Sequence, residues 1–209
     1  GLIETYGRVA LTGKPERFET YVQGLQMWFS ISVYSPEKEF FVAVFDVTGR
    51  RRQDARIQYL AEHDALTGLP NRLSLKAQLP QLLRDLTGTQ GDLALFYIDL
   101  DEFKSVNDNL GHDAGDQLLI DVGRRICACV RASDTVARLS GDEFTAILYD
   151  IVAEESISRV AEAIVEAMGR VFRIGEREVF CGASVGVAIY PDDASSADSL
   201  MIKADQAMY

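Results

Sequence analysis

The chain of 209 residues has little cysteine and histidine, and it lacks any long apolar run. Its three cysteines are an odd number, and Cys127 and Cys129 stand two apart in a segment that we predict to be a helix, so they point to different faces. This spacing is typical of neither a disulfide framework nor a zinc site, and it favours a reducing cytoplasm. No stretch approaches about 18 consecutive apolar residues, so we expect no membrane-spanning helix, and the first residues do not resemble a signal peptide. A membrane anchor upstream in a longer protein is left open.

The chain also has fewer basic than acidic residues. The chain has 32 acidic and 21 basic residues and a net charge of −11. Residues 1–54 are neutral, with 7 residues of each sign, so the whole imbalance lies in residues 55–209. Such a surface repels nucleic acid and anionic membranes, and acid-rich stretches are where hard cations bind. The composition therefore excludes nucleic acid as a partner and directs attention to a metal site.

The N-terminal part predicts a small antiparallel sheet followed by a helix. Apolar and polar residues alternate from Met27 to Tyr34, which is the period of a β-strand. A turn at residues 35–38 leads to a second strand over residues 40–47. Residues 51–62 are polar and contain neither glycine nor proline, which favours a linker helix between two domains.

From residue 64 the pattern becomes mixed α and β. Leucines at helical spacing predict a helix over residues 71–86, which Pro80 should kink or restart. The apolar run at residues 93–100 predicts a central strand. We expect two strands at 135–139 and 144–149, joined by a turn at Ser140-Gly141. The other predicted elements are helices at 113–131, 154–169 and 197–209, and strands at 171–174, 178–181 and 183–190. The order is βαββαβ, so the fold class is α/β.

Two groups of carboxylates lie at predicted strand ends. Asp99 and Asp101 flank Leu100 at the end of the central strand, and Asp142 and Glu143 follow the hairpin turn. Ligand sites in α/β sheets cluster at such ends, and two carboxylates there are a common way to hold Mg²⁺ against a triphosphate. The alternatives are that the first pair only ends a strand and that the second is an exposed acidic tip.

Segments next to these strands in the sequence offer polar groups suited to a nucleotide. We expect residues 103–108 to be a loop in which Lys104 meets phosphate and Asn107 meets a nucleobase edge. Asp113 is expected to be a helix N-cap, which leaves Asp116 free to accept two N–H groups of guanine. Arg131, three residues before Asp134, either stabilises a helix C-terminus or clamps guanine and phosphate.

Taken in order, these motifs resemble one family closely. They are DALTGLPNR at 64–72, DLDEFK at 99–104, ND at 107–108, GH at 111–112, GD at 115–116 and RLSGDEF at 138–144. Residues 64–209 resemble a GGDEF domain, and residues 204–209 resemble the start of its last helix. Residues 1–50 resemble, more loosely, the C-terminal half of a PAS sensor domain.

The resemblance implies a diguanylate cyclase with a palm-like fold, in which two GTP-loaded domains face each other in a homodimer and form cyclic di-GMP and pyrophosphate. It implies Mg²⁺ or Mn²⁺ as cofactor. By motif position, Asp99, Asp142 and the Leu100 carbonyl bind the metal, Glu143 lies near the ribose 3′-hydroxyl, and Lys104 holds phosphate. By the same comparison of motif positions, the resemblance implies that Asn107, Asp116 and Phe103 bind substrate. It also implies that Arg131 and Asp134 form an inhibitory product site.

Two departures from the family pattern concern the site. Ser140 stands where the motif has its first glycine, and a positive φ there would cost Ser about 1 kcal/mol. The chain ends at Tyr209, where the family continues with basic residues. A catalytically silent GGDEF domain that binds GTP or cyclic di-GMP and regulates a partner, such as a downstream phosphodiesterase domain, is an alternative, and a plain PAS-type interaction module is another. The ligand of the PAS-like segment is left open.

Overall fold

The computed structural model describes residues 2–35, 41–86, 91–149, 151 and 154–208. The chain divides into two compact units, residues 1–59 and residues 60–209, and each is described by itself. Within the described ranges, no helix combines the length and the apolar character needed to cross a membrane.

The first unit is a helix and a three-stranded antiparallel sheet in the order β1-β2-β3. Its elements are α1 (Leu2–Thr12), β1 (Glu16–Val22), β2 (Met27–Tyr34) and β3 (Phe41–Asp46). Val9 of α1 packs with Ile31 and Val33 of β2 in a small core. The predicted strands are confirmed and α1 was not predicted. The predicted turn at 35–38 lies mostly outside the described residues.

The helix predicted at 51–62 is confirmed and begins three residues earlier, as α2 (Thr48–Glu62). The Thr48 backbone N–H donates to Asp46 Oδ1 at 2.9 Å, and the Thr48 hydroxyl accepts from the backbone N–H of Trp28 at 2.9 Å. These bonds fix the start of the helix at the end of β3. Every side chain from residue 49 to residue 62 is exposed, as expected for a helix that is polar on all sides.

The second unit is a mixed α/β fold in the predicted βαββαβ order. Its main sheet is antiparallel, in the order β5-β6-β4-β9, and β7 and β8 form a separate hairpin. The elements are α3 (Arg72–Leu86), β4 (Leu93–Leu100), α4 (Phe103–Leu110), α5 (His112–Cys129), β5 (Thr135–Ser140), β6 (Glu143–Leu148), α6 (Glu154–Gly169), β7 (Phe172–Ile174), β8 (Arg177–Val179), β9 (Ala183–Tyr190) and α7 (Ala197–Ala207).

Strand β4 is central because helices cover both of its faces. Alternate side chains from Ala94 to Leu100 enter a core with residues of α4, α5 and α6. The intervening ones, among them Leu95 and Tyr97, enter a second core with residues of α3 and α7. A strand buried on both sides must be apolar at nearly every position, which explains the continuous apolar run in the sequence.

Helix α3 is continuous through Pro80, so of the two predicted effects of this residue the restart is absent. Three other local predictions in this unit are wrong. Residues 103–110 form helix α4 and not a loop, because Phe103 and Val106 lie on the same face and are buried against the core. Helix α5 is capped at Gly111 without a side-chain bond, so Asp113 lies in its first turn and is not the N-cap. The turn between β5 and β6 consists of Gly141 and Asp142, because Ser140 still pairs with Glu143.

One arginine closes the C-terminal end of α6. The Arg125 guanidinium donates to the carbonyl oxygens of Ala167, Arg170 and Val171 at 2.6–2.7 Å. It also lies 3.5 Å from the centre of the Phe172 ring. The last carbonyls of a helix have no intrahelical partner, so this side chain satisfies groups that would otherwise need water.

Candidate active site

Acidic side chains converge where β4 ends and β6 begins. Asp99 is the cross-strand partner of Glu143, and Asp142 lies in the adjoining turn. Burial raises the pKa of Asp99, and the negative charges of Asp142, Glu143, Asp101 and Asp205 raise it further. The three predicted residues Asp99, Asp142 and Glu143 are therefore brought to one edge of the sheet, where their charges repel one another.

This donor set fits a hard divalent cation. Carboxylate and carbonyl oxygens are the ligands that Mg²⁺ prefers, and a cation would relieve the repulsion that raises the Asp99 pKa. Among the described residues, no three or more His, Cys, Asp or Glu side chains form a metal-binding group. Mg²⁺ commonly needs only one or two carboxylates because waters and substrate phosphates complete its shell. The site therefore suits a metal that arrives with a phosphate ligand.

Asp101 has a structural role beside this edge. Its Oδ1 accepts from the Ser184 hydroxyl at 2.9 Å, and its backbone N–H donates to the Gly182 carbonyl at 3.0 Å. A Cβ atom on Gly182 would lie 2.5 Å from Asp101 Oδ2, so a larger residue there would displace the Asp101 carboxylate. Asp101 thus ties the end of β4 to the start of β9.

The hairpin turn that carries Asp142 is clamped by Arg138. Its guanidinium donates to the Gly141 carbonyl at 2.7 and 2.9 Å and to Asp64 Oδ1 at 2.8 Å. Asp64 Oδ1 also accepts from the backbone and the hydroxyl of Thr67. Burial raises the pKa of Asp64, but the bonds from Thr67 and Arg138 outweigh this effect and lower it. Sequence analysis assigns no role to Arg138 or Asp64, although a charged side chain within strand β5 is a signal.

The turn itself relieves the strain that Ser140 was expected to bear. The described non-glycine residues with positive φ are Gln26 and Glu102 alone, whereas Gly141 has φ +49°. Ser140 remains in β5, next to a register shift after Arg138, and pairs with Glu143. The predicted cost at Ser140 is therefore absent, and the glycine requirement falls on Gly141.

Glu143 makes several polar contacts within the unit. Its Oε1 accepts from the Tyr97 phenol at 2.9 Å, and its Oε2 accepts from the Ser140 hydroxyl. Arg72 Nη2 lies 3.9 Å from the same Oε2. Burial and the Glu143 charge raise the pKa of Tyr97 to about 12, so the phenol stays protonated and remains a donor.

Asn107 of α4 lies against Gly115 of α5, the residue that precedes Asp116. Gly115 is buried beneath Asn107: a Cβ atom at Gly115 would lie only 1.9 Å from Asn107 Oδ1. Asp116, the next residue along α5, is exposed beside it. Lys104 is exposed in the first turn of α4, whereas Phe103 is 91% buried in the core. The packing therefore gives Phe103 the task of anchoring α4, and its direct contact with substrate stays a prediction.

Arg131 and Asp134 lie at the opposite end of β5 from Ser140, roughly 20 Å away by the rise of six residues. The Arg131 backbone N–H donates to Asp134 Oδ2 at 2.8 Å, which forms a tight turn. Cavities of 320 and 330 Å³ flank this turn, and both residues line each of them. The first cavity is also lined by Arg159, which sequence reasoning missed because it comes from α6.

Comparison with known proteins identifies the second unit. The family model described as diguanylate cyclase, GGDEF domain, matches residues 61–209. The chain belongs to the GGDEF domain family. The match begins at residue 61, so the segment predicted to resemble a PAS domain lies outside it.

Individual GGDEF proteins are similar over the same region. The chain is 43% identical over 162 residues to the bifunctional diguanylate cyclase/cyclic di-GMP phosphodiesterase MucR of Pseudomonas aeruginosa, covering 78% of this chain and 24% of MucR. The solved GGDEF domain of TpbB from P. aeruginosa is 40% identical, with a TM-score of 0.68, over 70% of this chain and 86% of that one. The coiled coil and GGDEF domain of Caulobacter crescentus DgcB, solved with cyclic di-GMP, is 27% identical, with a TM-score of 0.70, over 78% of this chain and 86% of that one. Because the chain spans about a quarter of MucR, family membership is established for this region alone.

Proposed function

We propose that the chain is a diguanylate cyclase that condenses two GTP molecules into cyclic di-GMP and releases pyrophosphate. The observation that carries the proposal is the convergence of Asp99, Asp142 and Glu143 at one sheet edge, where every charge that shifts the Asp99 pKa is negative. In each condensation, the 3′-oxygen of one GTP bonds to the α-phosphorus of the other, and the bond to pyrophosphate breaks. Such a transfer depends on positioning and charge neutralisation more than on covalent help from the protein.

The carboxylates at this sheet edge would have two different roles, metal binding and proton acceptance. Asp99, Asp142 and the Leu100 carbonyl would hold Mg²⁺ or Mn²⁺, which supplies positive charge against the phosphates when bound. Glu143 is the carboxylate that would accept the proton of the ribose 3′-hydroxyl. Lys104, exposed at the start of α4, would hold a phosphate as a point charge.

The α4–α5 contact would select guanine. A guanine edge presents N–H donors that the Asp116 carboxylate can accept and an N3 or O6 acceptor for an amide such as Asn107. The packing of Asn107 against Gly115 supports this role because it holds Asn107 close to the segment of α5 that carries Asp116. Phe103 supports the same helix from the core.

Regulation of the enzyme would come from two places. Arg131 and Asp134 would bind cyclic di-GMP as a feedback inhibitor, and the two cavities beside them support this assignment. Residues 1–50 would be the C-terminal part of a PAS-type sensor, and residues 51–63 a linker helix that sets the geometry of two GGDEF domains (residues 64–209) in a homodimer. The exposed side chains of α2 are compatible with such a linker.

A second candidate is a GGDEF domain that binds GTP or cyclic di-GMP and regulates a phosphodiesterase domain. The observation that favours it is the 43% identity to MucR, whose name includes both activities. The presence of Asp99, Asp142, Glu143 and Lys104 favours the cyclase, because a purely regulatory domain needs no metal site.

The deciding experiment is chromatography of the nucleotides formed from GTP and Mg²⁺ by the 209-residue chain. We expect cyclic di-GMP and pyrophosphate, and loss of both in Asp142→Ala with an unchanged thermal unfolding midpoint. Asp85→Ala, which removes an exposed carboxylate on α3, is the matched control and should retain activity. GTP binding without product would favour the regulatory candidate, and an active Asp142→Ala would remove Asp142 from the metal site.

A further inference from the structure

The two oxygens of Glu143 are held by two different strands. The Tyr97 phenol, from β4, donates to Oε1 at 2.9 Å, and the Ser140 hydroxyl, from β5, donates to Oε2 at 2.5 Å. Glu143 itself lies on β6, between these strands, and its side chain is 29% exposed. Both oxygens of the carboxylate therefore accept from neutral donors, with Arg72 Nη2 at 3.9 Å from Oε2, and the side chain still faces solvent.

We propose that Ser140 and Tyr97 are positioning residues that orient the Glu143 carboxylate toward its substrate. This inference rests on the proposed function, in which Glu143 accepts the proton of the ribose 3′-hydroxyl. The terminal torsion angle of a glutamate side chain has a broad distribution, so a single hydrogen bond leaves the carboxylate free to rotate. Two donors on two oxygens select a single orientation before substrate arrives.

Tyr97 is suited to position Glu143 because packing in the core holds its ring in place. Its side chain is only 5% exposed and packs in the core with residues of α3 and α7. The phenol is the polar end of a side chain that is otherwise buried among apolar groups, and Glu143 is its hydrogen-bond acceptor.

Ser140 contributes a group that glycine at this position cannot supply. Its backbone does not need a positive φ, and it pairs directly with Glu143 across the β5–β6 ladder. That pairing places the Ser140 hydroxyl beside the Glu143 carboxylate. The serine in place of the motif's first glycine is thus an added donor and not a defect.

The test is steady-state kinetics on the 209-residue chain with GTP and Mg²⁺. Ser140→Ala and Ser140→Gly are each expected to lower kcat about tenfold, with KM for GTP within about twofold of the parent, since the lost bond orients a reacting group and does not bind GTP. Ser140→Thr keeps the hydroxyl and should recover most of kcat. Tyr97→Phe should likewise lower kcat and leave KM nearly unchanged. Ser158→Ala, which removes an exposed hydroxyl on α6, is the control and should have the kcat and KM of the parent.

A second measurement separates this inference from the proposed function. A double-mutant cycle of chemical unfolding over Ser140→Ala and Glu143→Ala should show coupling of about threefold or more in the unfolding constant. Absence of coupling overturns the inference whether or not the chain is active. Coupling with an unchanged kcat in Ser140→Ala also overturns it. A parent chain that makes no cyclic di-GMP overturns the proposed function and, with it, the catalytic role of the contact.

Discussion

Replacement of Gly115 by alanine tests the guanine-binding assignment at its most constrained point. An alanine Cβ would lie 1.9 Å from Asn107 Oδ1 and 2.9 Å from Asn107 Cγ, both far inside van der Waals contact. The atoms in the way are the end of a flexible side chain, so Asn107 can turn aside while α4 and α5 stay packed. The substitution should therefore displace one amide and leave the fold in place.

The expected magnitudes differ for stability and for binding. Alanine is favoured over glycine in a helix by about 0.5–1 kcal/mol, which offsets part of the cost of moving Asn107. The free energy of unfolding should then stay within about 1 kcal/mol of the parent. Loss of two hydrogen bonds from the Asn107 amide to guanine should cost about 1–3 kcal/mol of binding, or roughly 5- to 150-fold in affinity.

Calorimetric titration with a non-reacting GTP analogue and Mg²⁺ measures this loss, and chemical unfolding measures stability. Gly7→Ala is the matched control, because Gly7 is also helical and a Cβ there meets nothing within 4 Å. In an Asn107→Ala background, Gly115→Ala should have no further effect on affinity. An equal loss in both backgrounds would refute the reasoning, because the clash would then act on something other than Asn107.

Three further predictions concern other parts of the second unit. Arg131→Ala should raise the cyclic di-GMP concentration needed for half-inhibition about tenfold or more, and equal inhibition would remove Arg131 from the product site. Arg125→Met should lose about 2–3 kcal/mol in urea unfolding, because it leaves three carbonyls unpaired, whereas Arg124→Met, which breaks one exposed ion pair, should lose under about 0.5 kcal/mol. Burial, followed by nearby carboxylates, raises the pKa of Cys181 to about 11, so at pH 8 it is a thiol. Burial raises the pKa of Cys127 as well, so exposure decides the contrast: iodoacetamide should label exposed Cys127 faster than buried Cys181, and equal labelling in mass spectra would contradict this.

The order of helices and strands could be predicted because burial imposes a period on the sequence. The leucines of α3 and the continuous apolar run of β4 identified their elements before any contact was known. The hairpin of β5 and β6 was also expected, because a short turn joins its strands. Patterns of this kind are local, so the sequence alone determined them, together with the motif residues of the GGDEF family. The pairing of β4 with β6, which sets Asp99 opposite Glu143, joins distant segments and comes from the tertiary structure.

Contacts between distant segments were decided only by the tertiary structure. Asp113 was predicted to be the N-cap of α5, but the N-cap is Gly111, two residues earlier. A side chain caps a helix only from the N-cap position, so this shift removes the predicted role. Ser140 was expected to be strained because it stands at a glycine position of the motif, and the sequence does not show which turn residue has a positive φ. In the structure Ser140 pairs with Glu143 of β6, and the positive φ falls on Gly141. The clamp from Arg138 to Asp64 joins residues 74 positions apart, and Tyr97 meets Glu143 across 46. No local pattern encodes such pairs, because they form only when packing of the sheet and its helices brings the side chains together.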